Sequence, residues 1–382
     1  MIWIHAVSVG EVFAISRLAQ ELGERFPEYR LMISTTTDTG QNLARKRFGE
    51  ENVFYFPLDL TFAIKPYLRR LQPKMIVVAE TELWPNFLRL ARKQGVSVAV
   101  VNARISDRSL PGYYRARRLL APVLRNIDLF LAQTEEDKNR LVQIGASTER
   151  VRVSGNLKFD IPVPEPPPIV ASLRRAFKQA GSGPILVCGS TVQGEEPPLL
   201  QAFRNVLASF PQAVMVLAPR HPERFGEVAQ LLEKSGGRFW RRSLWEGDAI
   251  AGGVLLADSI GELASLYSLA DIAFVGGSLV PRGGHNILEP AQHGVPIVVG
   301  NHTENFRDIV GLFQAQDTVR VVEPADLTSV FMELLSNNAE RAALGRRALE
   351  TLHAQQGSTQ KTLDALTELL KAQTPAVAAR NE

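Results

Sequence analysis

The 382-residue chain predicts an α/β protein built as two doubly wound, Rossmann-like domains. Three observations carry that reading. Short apolar runs alternate with amphipathic helical stretches throughout. A proline-rich break, DIPVPEPPP at 160–168, interrupts the pattern near its middle. The same alternation then starts afresh. Apolar strands alternating with helices indicate parallel sheets covered on both faces, and a run so rich in proline makes a stiff, extended connection.

In the first domain, strands are expected at 2–7, 30–34, 53–56, 75–79, 96–101 and 129–132. Helical patterns lie between them at 11–26, 39–48, 61–71, 84–94 and 113–126. In the second, strands are expected at 185–188, 213–218, near 239, 254–257, 272–275, 296–299 and 319–322. Its helices are expected near 195–209, 222–235, 261–269, 284–293 and 325–336, with a final one over 338–371. The expected division is 1–160, a linker at 161–168, a second domain over 169–371 whose last helix can pack back on the first, and a disordered tail at 372–382.

Composition narrows the function classes. Apolar residues make up 45% and charged residues 22%, ordinary for a soluble globular protein. The single cysteine, Cys188, excludes a disulfide framework and fits a reducing compartment. It ends an apolar run and reads as a buried strand residue rather than a nucleophile. No apolar run is long enough to span a bilayer, and MIWIHAVSVGE lacks the basic start of a signal peptide. No GxxxxGK[ST], no GxGxxG after the first strand and no HExxH occurs. Net charge is +3, yet residues 61–127 hold 13 Lys or Arg against Glu80, Glu82 and Asp107. So basic a segment suits an anionic partner such as a phosphorylated lipid, a membrane surface or nucleic acid. Solvated helix faces are the plainer explanation.

Ligands of such sheets bind at the carboxyl ends of strands, so the loops there are the candidates. GGSLVPRGGHNILEPAQHGVPIVVG at 276–300 reads as a glycine loop, then a helix, then a strand. Glycines let a backbone approach a ligand, and a helix N-terminus offers N–H donors to an anion. That describes a nucleotide-sugar pocket or a plain βα turn. In HAVSVGE, Glu11 opens a helix beyond the first strand. It is a catalytic base if burial raises its pKa against the helix dipole; otherwise it matches the dipole. Glu80 follows the fourth strand, and Glu82 lies one alternation on. Glu80 can orient substrate, hold a cation or cap the next helix. Lys158, at the domain junction, is a charge for a leaving phosphate or a hinge lysine in solvent. GST at 189–191 precedes Glu195 and Glu196; Pro219, Arg220 and His221 end another strand; DSIGEL ends a third, with Glu262 at a helix start. Together with the 276–300 loop these would converge on one pocket.

Taken in order, HAVSVGE (5–11), STTTDTG (34–40), PLD (57–59), ETELWPN (80–86), NARISDRS (102–109), NLKFD (156–160), GSTVQGEE (189–196), PRHPERF (219–225), DSIGEL (258–263) and GGSLVPRGGHNILEPA (276–291) resemble the bacterial 3-deoxy-D-manno-octulosonic acid (Kdo) transferase family. The resemblance covers nearly the whole chain. It implies a GT-B fold, two Rossmann-like domains facing a central cleft. It also implies inverting transfer of Kdo from CMP-Kdo to a hydroxyl of the phosphorylated lipid A precursor, in lipopolysaccharide biosynthesis, with no metal or other cofactor required. The family's general base falls on Glu11, and its transition-state support on Glu80 and Lys158. Its CMP contacts fall on Pro219, Arg220, Ile260, Gly261, Glu262 and the Asn286, Ile287, Leu288, Glu289 run. Ser190, Thr191, Glu82 and His285 stand beside these. The implied location is peripheral, on the cytoplasmic face of the inner membrane. The apolar N-terminal anchor usual in the family is absent ahead of the first strand of this chain, and the 61–127 basic residues would meet anionic membrane. The basic, amphipathic stretch 113–125 would serve the same contact. Two other readings remain to be separated: a GT-B enzyme using a UDP-sugar, and a non-enzymatic membrane or nucleic-acid binder.

Overall fold

The structure, a computed structural model, describes residues 1–161 and 165–372. The chain divides into two compact units, Met1–Pro162 with Gln355–Glu382, and Val163–Ala354.

The first unit holds seven strands: β1 (Ile2–His5), β2 (Leu31–Thr35), β3 (Val53–Tyr55), β4 (Met75–Ala79), β5 (Ser97–Ala103), β6 (Leu129–Ala132) and β7 (Val151–Val153). They form one parallel sheet in the order β3-β2-β1-β4-β5-β6-β7. Every residue of β1, β4, β5 and β6 is buried. This is why those strands read as continuous apolar runs rather than alternations. Strand β7 escaped the sequence reading: VRV is three residues long, sits at the sheet edge and carries exposed Arg152.

The second unit repeats the plan with β8 (Ile185–Thr191), β9 (Val214–Pro219), β10 (Phe239–Arg241), β11 (Gly253–Leu256), β12 (Ile272–Val275), β13 (Ile297–Gly300) and β14 (Val319–Val322). The order is β10-β11-β9-β8-β12-β13-β14, again all parallel. Cys188 is fully buried in β8, and burial pushes its thiol pKa up.

Several expectations need correction. The second unit ends at Ala354 rather than 371. Left-handed Gly357 (φ 93°) splits the expected 338–371 helix into Asn338–Gln355 and Ser358–Ala372. The latter packs on the first unit through Leu363, Leu366 and Leu370. Asp160 anchors its start, with Oδ1 accepting from Gly357 N–H (2.7 Å) and Oδ2 from Thr359 N–H. The expected 113–126 helix is two short ones, Leu110–Arg115 and Arg117–Leu124. Part of the expected linker (162–164) and the tail from 373 onward lie outside the described residues.

Candidate active site

In the first sheet β1 has β2 on one side and β4 on the other. The winding direction reverses between β1 and β4, and the crevice at their carboxyl ends is where such sheets bind ligands. Glu11 stands just beyond β1, and Glu80 is the residue after β4. Ser8 is the N-cap of the Val9–Arg25 helix, and Glu11 is its third residue. This is a capping-box spacing. Ser8 Oγ donates to Glu11 Oε1 (2.8 Å), and Val7 N–H donates to Oε2 (2.8 Å).

A capping carboxylate in water stays acidic, but Glu11 is only 7% exposed. Burial lifts its pKa to about 7, opposed by the Val7 and Ser8 bonds and reinforced by Glu80 and Glu82. Glu11 thus caps the helix while burial sets its proton affinity near neutrality, the range a general base needs. Because the folded pKa lies above the ordinary 4.5, the folded state binds more protons between these values. Stability falls as pH rises from about 4.5 to about 7, and ionised Glu11 costs the fold about 3 kcal/mol above that range.

Glu80 has φ 55°, a left-handed conformation that a glutamate adopts only under constraint. Lys158 Nζ donates to Glu80 Oε1 (3.2 Å), with both side chains about three-quarters buried. The lysine is thus paired, not a hinge residue in solvent. Glu82 is half-buried, and burial together with Glu80 raises its pKa. Other residues of the matching segments hold this loop. Asp59 accepts from Asn86 N–H (3.0 Å) and Phe87 N–H (2.8 Å) at the start of the Pro85–Lys93 helix. Thr81 Oγ1 accepts from Arg104 N–H (3.0 Å).

In the second sheet the winding reverses between β8 and β12. Ser190, near the end of β8, is buried with φ 56°. Here the glycine loop departs from expectation. Glu195 is fully buried, and its carboxylate accepts from four backbone N–H groups: Val192 (2.9 Å), Gly277 (2.7 Å), Ser278 (2.9 Å) and Leu279 (2.8 Å). The N–H donors of that turn are consumed inside the protein and are not free for a ligand's phosphate. Neighbouring Glu196 accepts from Thr191 Oγ1 (2.9 Å) and from both terminal nitrogens of Arg224 (2.7 and 3.1 Å). Thr191 therefore serves the architecture.

The expected 284–293 helix is a single turn, Leu288–Ala291. Gly283 and Gly284 are left-handed ahead of it (φ 86° and 75°), and left-handed Gly294 (φ 63°) lies three residues beyond its end. Asn286 Oδ1 already accepts the Leu288 N–H (3.1 Å). The turn therefore offers side chains rather than a helix N-terminus. Ile287 and Leu288 are buried and anchor the turn, while Asn286 and Glu289 are partly exposed. Burial raises the Glu289 pKa, with Arg220 and an Asn286 hydrogen bond opposing. His285 lies against Gly277 and is held near pKa 4 by burial and by Arg220 and His221. These shifts bring Arg220, His285, Asn286 and Glu289 into one electrostatic neighbourhood. Pro219 is buried at the end of β9, and exposed Arg220 follows it, its backbone N–H donating to Thr191 O at the end of β8 (2.9 Å). Ile260 is 74% exposed beside exposed Gly261, an apolar tip suited to a ring face. The Glu262 carboxylate is committed to Arg242 (2.8 and 3.1 Å) and to Ser259, and its carbonyl accepts from Ser265 and Leu266 N–H (3.0 Å each), which leaves its backbone N–H as the group to offer a ligand. Tyr267 was missed by sequence reasoning. It is buried under Gly189, and burial, with the nearby Glu289 carboxylate adding to it, raises its pKa; nothing in its local sequence distinguishes it from a core aromatic.

Two seven-stranded, doubly wound parallel sheets, one in each unit, define the GT-B fold class. A UDP-GlcNAc 2-epimerase from Neisseria meningitidis, solved bound to UDP-GlcNAc, has the same fold at 14% identity: TM-score 0.60, covering 96% of this chain and 99% of that one. The sequence pattern of the 3-deoxy-D-manno-octulosonic-acid transferases (kdotransferases) matches residues 1–161. The 3-deoxy-D-manno-octulosonic acid transferase of Haemophilus influenzae is 38% identical over 97% of this chain and 87% of its own length. That of Bordetella pertussis is 36% identical over the same shares. The chain belongs to the 3-deoxy-D-manno-octulosonic acid transferase family and is a glycosyltransferase.

Proposed function

We propose that this enzyme transfers Kdo from CMP-Kdo to a hydroxyl of the phosphorylated lipid A precursor, with inversion and with Glu11 as general base. The observation that carries the reading is the buried Glu11 carboxylate, poised near pKa 7 at the β1/β4 reversal beside the Glu80–Lys158 pair. Each Glu11 oxygen accepts one hydrogen bond and keeps a lone pair. The acceptor O–H gives its proton to Glu11 as its oxygen bonds to the anomeric carbon. The bond from that carbon to the CMP phosphate oxygen breaks with its electron pair. A phosphate leaves without protonation, so no second acid is needed, unlike in glycoside hydrolysis. Lys158 is assigned to positive charge in the first unit, and Arg220 to holding the donor phosphate in the second.

The donor's cytidine and phosphate are assigned to Arg220, Asn286 and Glu289, with Pro219, Ile260, Gly261 and the Glu262 backbone beside them. Ser190 and His285 border this set. Calorimetry separates this reading from a UDP-sugar enzyme: CMP is expected to bind more tightly than UDP, and Arg220→Ala to weaken CMP roughly tenfold. Clear UDP preference would sink the assignment.

The reading extends to peripheral attachment at the cytoplasmic face of the inner membrane. Among the described residues no helix is long and apolar enough to cross a membrane. Exposed Phe62, Tyr67, Tyr114 and Leu119 lie within the 61–127 basic segment, and exposed Leu58 and Leu60 just precede it, the combination that seats a protein on anionic lipid. Co-sedimentation with anionic vesicles, lost on neutral ones, is the expected result.

A further inference from the structure

The segment NARISDRS (102–109) runs from the end of β5 into the loop that follows it. Its first residue, Asn102, is fully buried near the end of β5, and like Glu80 it has φ 55°. Glu80 N–H donates to Val101 O (2.8 Å), so the two strained residues sit on neighbouring strand ends. Asn102 O accepts from Gln133 Nε2 (3.0 Å), and its Oδ1 accepts from Leu157 N–H (3.0 Å). That N–H opens the Leu157–Phe159 turn, where Asn156 Oδ1 accepts from Lys158 N–H (3.0 Å) and Lys158 Nζ returns to Glu80. The bonds close a ring: Glu80, the end of β5, Asn102, the Leu157 turn, Lys158, Glu80.

We propose that Asn102 is a positioning residue for transfer, its carboxamide oxygen fixing the turn that presents Lys158 to Glu80. The inference rests on the reading of Lys158 and Glu80 as transition-state support. A buried side-chain acceptor at a strained backbone position is held there only by its surroundings. A turn that loses this bond gains freedom at the lysine it carries.

Glycine adopts φ 55° without strain, so Asn102→Gly keeps the backbone and deletes the carboxamide. It is expected to lower kcat roughly 10- to 100-fold, with KM for CMP-Kdo little changed. Acylation of Lys158 by an amine reagent, followed by mass spectrometry, should become faster than in the parent. Asn102→Asp keeps the acceptor oxygen, tolerates the left-handed backbone and is held in its neutral, protonated form by the full burial of the position. The Asn102 Nδ2 it replaces has no hydrogen-bond partner among the described residues. This variant should retain most turnover and parental Lys158 labelling, and it carries the test if the glycine variant does not fold. Parental turnover in Asn102→Gly, unchanged Lys158 labelling, or an Asp variant as impaired as Gly would each overturn the proposal. Lys158→Ala run in parallel separates the two claims. If it keeps turnover, the catalytic reading of Lys158 falls. If it loses turnover while Asn102→Gly does not, only the positioning role falls.

Discussion

Glu11→Gln is expected to lower kcat by roughly 10²- to 10⁴-fold, the range for loss of a general base, while the fold and CMP binding persist. The carboxamide fits the same cap: its oxygen accepts from Val7 N–H, and its N–H₂ donates to Ser8 Oγ, whose hydroxyl turns to suit. In the parent, kcat/KM should rise with pH and level off above about 7, because the base acts only when ionised. Stability should move the other way, falling from about pH 4.5 to about pH 7 as burial resists that ionisation. Both slopes should flatten in the glutamine variant, seen in pH-rate profiles and thermal melts. Parental turnover in the variant would exclude Glu11 as base.

Glu195→Ala is expected to have the largest effect on stability in the second unit. It strands four buried N–H donors, on Val192, Gly277, Ser278 and Leu279. Leaving buried polar groups unpaired costs about 1–3 kcal/mol each, so the loss should reach at least about 3 kcal/mol even after relaxation. Glu195→Gln should be nearly as harmful, since its N–H₂ would face two of the four donors. The loop it releases carries Gly277, which touches His285, so CMP affinity should fall as well. Urea unfolding followed in both variants checks this. A loss below about 1 kcal/mol in Glu195→Ala would mean that the carboxylate is not the anchor of the loop.

The two-sheet fold was legible because buried parallel strands such as Met75–Ala79 and Ile272–Val275 are apolar throughout. Strand β7 was not, because three residues with a central arginine give no such signal. Glu11, Glu80 and Lys158 were legible as candidates from their places at strand ends and junctions. Their meaning was not, because it depends on contacts across 78 residues, Glu80 to Lys158, and on burial that raises one carboxylate's pKa. The glycine loop misled for a similar reason. Its spacing advertises free N–H groups, but Glu195, 82 residues away from Gly277, occupies them. Helix length near Glu289 was overread because left-handed Gly283, Gly284 and Gly294 confine it to one turn.

The central claim is Kdo transfer by a base on the first unit. Its most direct test is to incubate the chain with CMP-Kdo and the tetraacyl lipid A precursor and to measure the lipid's mass. The account predicts a lipid heavier by one or more Kdo residues, with CMP released in equal number and no gain with Glu11→Gln. An unchanged lipid mass, with CMP-Kdo intact or merely hydrolysed, would contradict it.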